Sequence, residues 1–275
     1  MPVGRPTRGT TNTNRLRRVD RWIAAHPALR GADDPIVVDL GFGASAATAF
    51  ELFERLRPAC PQVRVVGIEL DPDRVATARA QLASKPEDVR AGVSFARGGF
   101  ETPLPGGGMA RIIRAFNVLR QYEEAEVPGA WRHMLGRLAP GGLLVEGTCS
   151  ELGRVATWIG CSPTGPETFT ISLRLAELEL PSIAAERLPR ALIHRNVPGE
   201  RIHAWLGALD AAWLREAPRA PFGPRQRWLA AIAAVRSEGW PVLDGPGRWR
   251  LGEVTVPWAA VAPADGELAL PPAHG

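Results

Sequence analysis

Lysine is nearly missing from this 275-residue chain: Lys85 stands alone, and every other basic side chain is arginine. Cysteine is scarce as well. Cys60, Cys149 and Cys161 are odd in number and form no C-x-x-C pair, which excludes a disulfide framework and leaves no zinc or other metal site to expect. No apolar run approaches the ~18 residues of a membrane span. The opening MPVGRPTRGT also lacks the apolar stretch of a signal peptide, so the expectation is a cytoplasmic protein with reduced thiols and no membrane partner.

What is present is ordinary for a globular enzyme or binding domain: 45% hydrophobic and 23% charged residues in a length that allows one α/β domain with appendages. The net charge of +4 has one local concentration, where Arg5, Arg8, Arg15, Arg17, Arg18 and Arg21 face only Asp20. Leu16, Val19 and Ile23 recur at helical spacing within 14–25. An apolar stripe would be idle in a free polycationic arm, so the segment is expected to fold onto the domain, with Arg15 or Arg18 reaching a ligand. Nucleic acid stays open as a partner.

From residue 36 the pattern alternates. Ile36-Val37-Val38 is a short buried strand, and Ala46, Ala49, Phe50, Phe53 and Leu56 follow it at helical spacing. A second strand over 63–70 precedes a helix over 72–83 that opens on Pro72. Strands over 93–96, 111–116 and 143–146 continue the series, with a helix marked by Trp131, Met134 and Leu138 and closed by Pro140-Gly141-Gly142. Such alternation predicts a parallel sheet. Two runs around the turn at 162–166 then read as a hairpin, and beyond Pro198 two amphipathic helices carry Trp205, Trp213 and Trp228.

The chemistry concentrates at strand ends. Asp39-Leu40-Gly41-Phe42-Gly43-Ala44-Ser45 follows the first strand and opens a helix, where glycines permit a tight turn and backbone N–H groups favour an anionic ligand. Glu69 ends the second strand, where a carboxylate can accept from two ribose hydroxyls, or can cap the helix that starts at Pro72, a role for which Asp71 is already placed. Asn117 follows the fourth strand and can orient a substrate or hold a turn.

These motifs resemble class I S-adenosylmethionine-dependent methyltransferases over about residues 34–175. The 39–43 segment looks like the family's first motif, Gly67-Ile68-Glu69-Leu70-Asp71-Pro72 like its second, and Pro140-Gly141-Gly142-Leu143-Leu144 like the turn into its fifth strand. The segment from Ile113 to Leu119 is similar to its fourth strand end. The resemblance implies an α/β, Rossmann-like, doubly wound and mostly parallel seven-stranded sheet with an antiparallel final strand, plus an N-terminal helix and a C-terminal helical extension. It implies S-adenosyl-L-methionine as cofactor, held by Asp39, Gly41, Gly43, Ser45, Glu69, Leu70, Gly99, Phe100 and Asn117, with Asn117 also orienting the reaction. Two positions depart from the family. Ser45 replaces a third glycine, and Gly99 stands where an acidic residue usually meets the adenine amino group, leaving Phe100 to stack or to fill the core and Glu101 to supply the acceptor.

Two other readings accompany this one: a cofactor-binding regulatory module without transfer, and an NAD(P)-dependent oxidoreductase, since 41–46 also satisfies a permissive dinucleotide pattern. Asp39, a carboxylate beside the loop that would hold pyrophosphate, argues against the latter. The expected organisation is a basic extension at 1–30, the cofactor domain at 31–195, and a Trp-rich helical extension at 196–275. The methyl acceptor is expected to be a small molecule of unknown identity. The C-terminal tryptophans fill a core, line its pocket or form a homodimer face.

Overall fold

The computed structural model describes residues 2–6, 9, 12–266 and 268. Five strands, β1 (Ile36–Leu40), β2 (Arg64–Glu69), β3 (Val93–Arg97), β4 (Ala110–Phe116) and β5 (Leu138–Cys149), are followed by β6 (Val155–Ser162), β7 (Gly165–Leu173) and β8 (Glu253–Pro257). They form one sheet in the order β3-β2-β1-β4-β5-β6-β7-β8. The first five pair in parallel, and the last three join as an antiparallel meander. The first five strands are therefore wholly parallel, as a Rossmann-like fold requires, and the sheet has eight strands rather than the seven expected, with three antiparallel strands at its end rather than one.

Ten helices surround it among the described residues: α1 (Arg17–Ala25), α2 (Pro27–Arg30), α3 (Ala47–Leu56), α4 (Pro72–Ala83), α5 (Glu87–Gly92), α6 (Val127–Leu135), α7 (Arg190–Ile193), α8 (Arg201–Arg215), α9 (Pro224–Ser237) and α10 (Pro246–Trp249). Side chains alternate across a strand, so β1 sends Val37 to one face and Val38 and Leu40 to the other. Val37, Val65 and Ile112 pack with Val19 and Ile23 of α1 and Phe53 of α3. Val38, Val66 and Ile113 belong to the opposite core with Trp131 of α6, Trp205 and Trp213 of α8 and Trp228 of α9. Both faces of β1, β2 and β4 are covered, which accounts for the short β-branched runs Ile36-Val37-Val38, Val65-Val66 and Ile112-Ile113. The tryptophans of α8 and α9 thus belong to the core.

Two local features differ from the sequence expectation. Pro140-Gly141-Gly142 lies within β5, where the register jumps from Ala110 opposite Leu138 to Ile112 opposite Leu143. Gly141 takes a φ of 68° there, so the turn signal is a bulge that bends the strand. The stretch beyond 196 is also not purely helical, because β8 pairs with β7 from Ser172 opposite Glu253 to Thr168 opposite Pro257. Among the described residues no helix is long and apolar enough to cross a membrane.

Candidate cofactor site

β1 lies between β2 and β4, so the chain leaves its C-terminal end at the point where the strand order reverses. Connections on either side of that point diverge and open a crevice. The turn entering it needs left-handed backbone at Gly41 (φ 71°) and Gly43 (φ 84°), which is why glycine stands at both positions. Gly43 N–H donates to Glu69 Oε2 at 3.1 Å, while Leu70 N–H donates to Oε1 at 2.8 Å. Arg74 lies 3.6 Å from the same carboxylate. Glu69 is 1% exposed and bolts the glycine turn to the end of β2. The α4 cap is Asp71, which accepts from the N–H groups of Asp73 and Arg74.

Asp39 does not present a free charge to the crevice. Its Oδ1 is 2.8 Å from Arg114 Nη2 on β4, and its Oδ2 accepts from the Thr48 hydroxyl at 2.7 Å. Arg114 also pairs with Asp20 of α1, whose other oxygen lies 2.5 Å from Arg55 of α3. Asp20 and Arg114 are wholly buried. Burial raises the Asp20 pKa, opposed by the two arginines, whereas the Arg114 guanidinium, although desolvated, is held above its usual range by Asp20 and Asp39. This buried chain clamps α1 and α3 to the sheet. The electrostatic argument against a dinucleotide loses force accordingly, since Arg114 already neutralises the carboxylate it relied on.

Leu70, Gly99 and Phe100 converge with Glu69 and Tyr122 on a slot at the ends of β2 and β3. Phe100 is buried and tilts against Tyr122 with ring centroids 5.3 Å apart. At its rim, Phe100 N–H points outward as a donor and the Glu101 carboxylate offers an acceptor beside it. Both are engaged by Val3 of the same chain: Phe100 N–H donates to Val3 O at 2.8 Å, and Val3 N–H donates to Glu101 Oε2 at 2.7 Å. Gly99 has to be glycine in this arrangement, because a Cβ there would stand 1.9 Å from Val3 O.

On the other side of the glycine turn, Asp39, Gly41, Gly43 and Asn117 line a cavity of about 410 Å³ with Arg15 and Arg120. Slot and cavity share Leu40 and Gly41, so they form one groove across the switch point. Asn117 takes a left-handed φ of 60°, and its Oδ1 accepts from Cys149 N–H at 3.0 Å. Its side chain therefore holds the β4 turn against the end of β5. A second cavity of about 710 Å³ abuts the first, sharing Glu151 and Arg187, with Leu152, Leu178 and Ile183 on its walls.

Two expected placements need correction. Ser45 sits in a separate hollow with Phe50 and Gln81, and its Oγ accepts from Ala47 N–H at 3.3 Å, so the residue serves the start of α3 rather than the groove. Arg18 donates to Ser172 Oγ at 3.2 Å and Leu251 O at 3.0 Å on the β7–β8 side, because the α1 stripe that buries Val19 and Ile23 turns it that way. Arg15 does line the cavity, and donates to Ser150 O at 3.3 Å. Sequence reasoning missed Val3, Arg187 and the Asp20–Arg114 pair. A visible signal existed for the last: Arg114 interrupts the apolar run Ile112-Ile113-Arg114-Ala115-Phe116, and a charge inside a buried strand needs a partner.

No model of a known protein family matches this sequence. No curated protein matches it either. Among solved structures, the chain is similar to the mitomycin 7-O-methyltransferase at 21% identity and a TM-score of 0.37, covering 49% of this chain and 36% of that one. A glycopeptide N-methyltransferase complexed with S-adenosyl-L-homocysteine gives 16% identity and a TM-score of 0.39, over 53% of this chain and 56% of that one. Magnesium protoporphyrin IX methyltransferase from Synechocystis PCC 6803, with the same ligand bound, gives 15% and 0.37 over 49% and 54%. The chain thus spans between about a third and just over half the length of these proteins.

Proposed function

We propose that this protein is an S-adenosyl-L-methionine-dependent methyltransferase of the class I type with a small-molecule acceptor. One observation carries the reading: a slot lined by Leu70, Gly99 and Phe100, an acidic strand end and a glycine turn lie in sequence along one groove at the switch point of the sheet, with a cavity at its other end. The residues present fit the cofactor. Phe100 N–H and the Glu101 carboxylate offer a donor and an acceptor matching the acceptor and amino group on the edge of adenine. Glu69 stands where a ribose would follow, and the Gly41–Gly43 backbone and Arg15 border the space for a charged amino-acid tail.

The bound cofactor supplies a methyl group already activated by a positively charged sulfur, so the protein's share of the work is alignment and exclusion of water. Asn117 and Phe116 border the cavity where the reacting centre would lie, and Asn117 is rigidly held by Cys149. The adjoining cavity sets Leu152, Leu178 and Ile183 among Arg154, Arg174, Glu177 and Glu186, with Arg187 at the junction, and suits an acceptor that carries both apolar and polar groups. A binding module without transfer is favoured by one feature, the commitment of the Asn117 side chain to Cys149 rather than to the cavity.

Calorimetry tests the methyl-donor site that both readings share. S-adenosyl-L-homocysteine should bind and NAD should not. Glu69→Ala should weaken binding by roughly 10- to 100-fold while the far-UV circular dichroism is retained, because hydrogen bonds to a charged acceptor are worth about 1.5–3 kcal/mol. Binding of NAD alone rejects the methyl-donor reading. Labelled methyl transfer to a metabolite extract then divides enzyme from module.

A further inference from the structure

The slot at the ends of β2 and β3 is filled by the chain itself. Only about 20 Å³ of it remains open, room for at most a single water, and no planar base can enter while residues 3–5 are in place. The way those residues bind has the logic of a ligand. Val3 offers N–H and C=O to the same side, and these meet Glu101 Oε2 at 2.7 Å and Phe100 N–H at 2.8 Å. The amino group and neighbouring ring nitrogen of adenine make the same donor–acceptor pair.

Gly4 then lines the slot with a φ of 133°. A Cβ there would come within 3.0 Å of the Tyr122 hydroxyl oxygen, 3.3 Å of Leu70 Cδ1 and 3.6 Å of Phe100 Cε2, so the glycine backbone occupies the layer in which a ring would stack. Arg5 fastens the strap on the far side. Its N–H donates to the Tyr122 hydroxyl, its carbonyl accepts from Gln121 Nε2 at 3.0 Å, and its guanidinium pairs with Glu126 at 2.8 Å and lies over the Tyr122 ring.

We propose that residues 2–6 are an intramolecular competitor for the nucleoside end of the cofactor site, with the Val3 peptide taking the place of the adenine edge on Phe100 and Glu101. The inference rests on the methyl-donor reading. Its consequence is a protein that exists in two states, strapped and open, of which only the open one admits the cofactor. Observed affinity is then the intrinsic affinity scaled by the open fraction. Whatever draws the strap away, a partner surface or the acceptor itself, would raise donor binding without touching the donor.

The test compares three proteins by calorimetry with S-adenosyl-L-homocysteine and with adenosine: the intact chain, a chain lacking residues 2–6, and Gly4→Val, which keeps the length but cannot seat the strap. Removal of a strap that is closed nine-tenths of the time should tighten both ligands about tenfold. Gly4→Val should move in the same direction. A synthetic Pro-Val-Gly-Arg-Pro peptide added to the shortened chain should compete with adenosine. Equal affinity in all three proteins overturns the proposal and leaves the methyl-donor reading standing. Weaker binding by the shortened chain also overturns it, since the segment would then be part of the ligand site. If no protein of the three binds either nucleoside, the methyl-donor reading falls, and this inference with it.

Discussion

Glu146 stands on β5 facing the core that holds Trp131, and neither of its oxygens has a hydrogen-bond partner among the described residues. Burial pushes its pKa from the ordinary 4.5 up to about 8, and the nearby Trp131 indole, outside hydrogen-bonding geometry, offsets only part of this. Cys161, packed in the same core, has its thiol raised by burial and by Glu146 in turn. The folded state holds the Glu146 proton more tightly than the unfolded state does. Its contribution is fully present below pH 4.5 and is lost as pH rises through about 8. Glu146→Gln should match the native chain in urea stability near pH 4.5 and exceed it progressively up to pH 8, by at most about 5 kcal/mol. A stability difference that is flat with pH would mean that Glu146 is ionised in the fold. Arg114 makes the contrast: equally buried, it keeps its charge because Asp20 and Asp39 flank it.

At the scale of elements, β8 is the strand that ties the Trp-rich helices into the sheet, and Gly252 sets its entry. Its φ is 78°, its carbonyl accepts from Leu173 N–H at 2.8 Å, and a Cβ would stand 2.1 Å from Leu173 O. Gly252→Ala should therefore cost at least about 2 kcal/mol in chemical denaturation, combining left-handed strain with a shifted β7–β8 pairing. A loss under half of that would mean the edge strand repairs itself. β8 is also the element least legible in the sequence. Glu253-Val254-Thr255-Val256-Pro257 is only five residues long, and its partner β7 lies some eighty positions earlier, so no local signal marks it. The parallel half was legible because the β-branched runs of β1 and β2 end at an acid and a glycine, as at Asp39-Leu40-Gly41 and Glu69, and because α4 opens on a recognisable start, Asp71-Pro72. The groove was legible for the same reason: strand ends place Gly41, Gly43, Glu69 and Phe100 together whatever the loops do. What the sequence did not reveal were the partners that distant segments supply, Val3 to Phe100 and Asp20 to Arg114: the charge inside β4 signals that a partner is needed, but neither charge nor hydrogen bonding has a period that says where it lies.

Across the whole molecule, one hydrophobic cluster runs across residue 196, where the Trp-rich extension packed on the core was expected to begin. The cluster on one face of the sheet joins Val38, Ile113 and Leu144 of β1, β4 and β5 to Trp205, Trp213, Trp228 and Val254 from beyond that point. Trp205 and Trp228 are fully buried there, so removing α8 and α9 would uncover the inner sheet face as well as the helices. Cores that share side chains unfold together, and two-state behaviour follows from that sharing rather than from chain length. Tryptophan fluorescence should report mainly on the region beyond 196, where Trp205, Trp213, Trp228, Trp240, Trp249 and Trp258 lie, whereas far-UV circular dichroism reports on every strand and helix. The two signals should give one coincident urea midpoint, and a chain cut after residue 195 should lack a cooperative transition. Two separated midpoints, or a shortened chain that unfolds cooperatively, would mean that the Trp-rich region is an independent unit docked on a self-sufficient sheet.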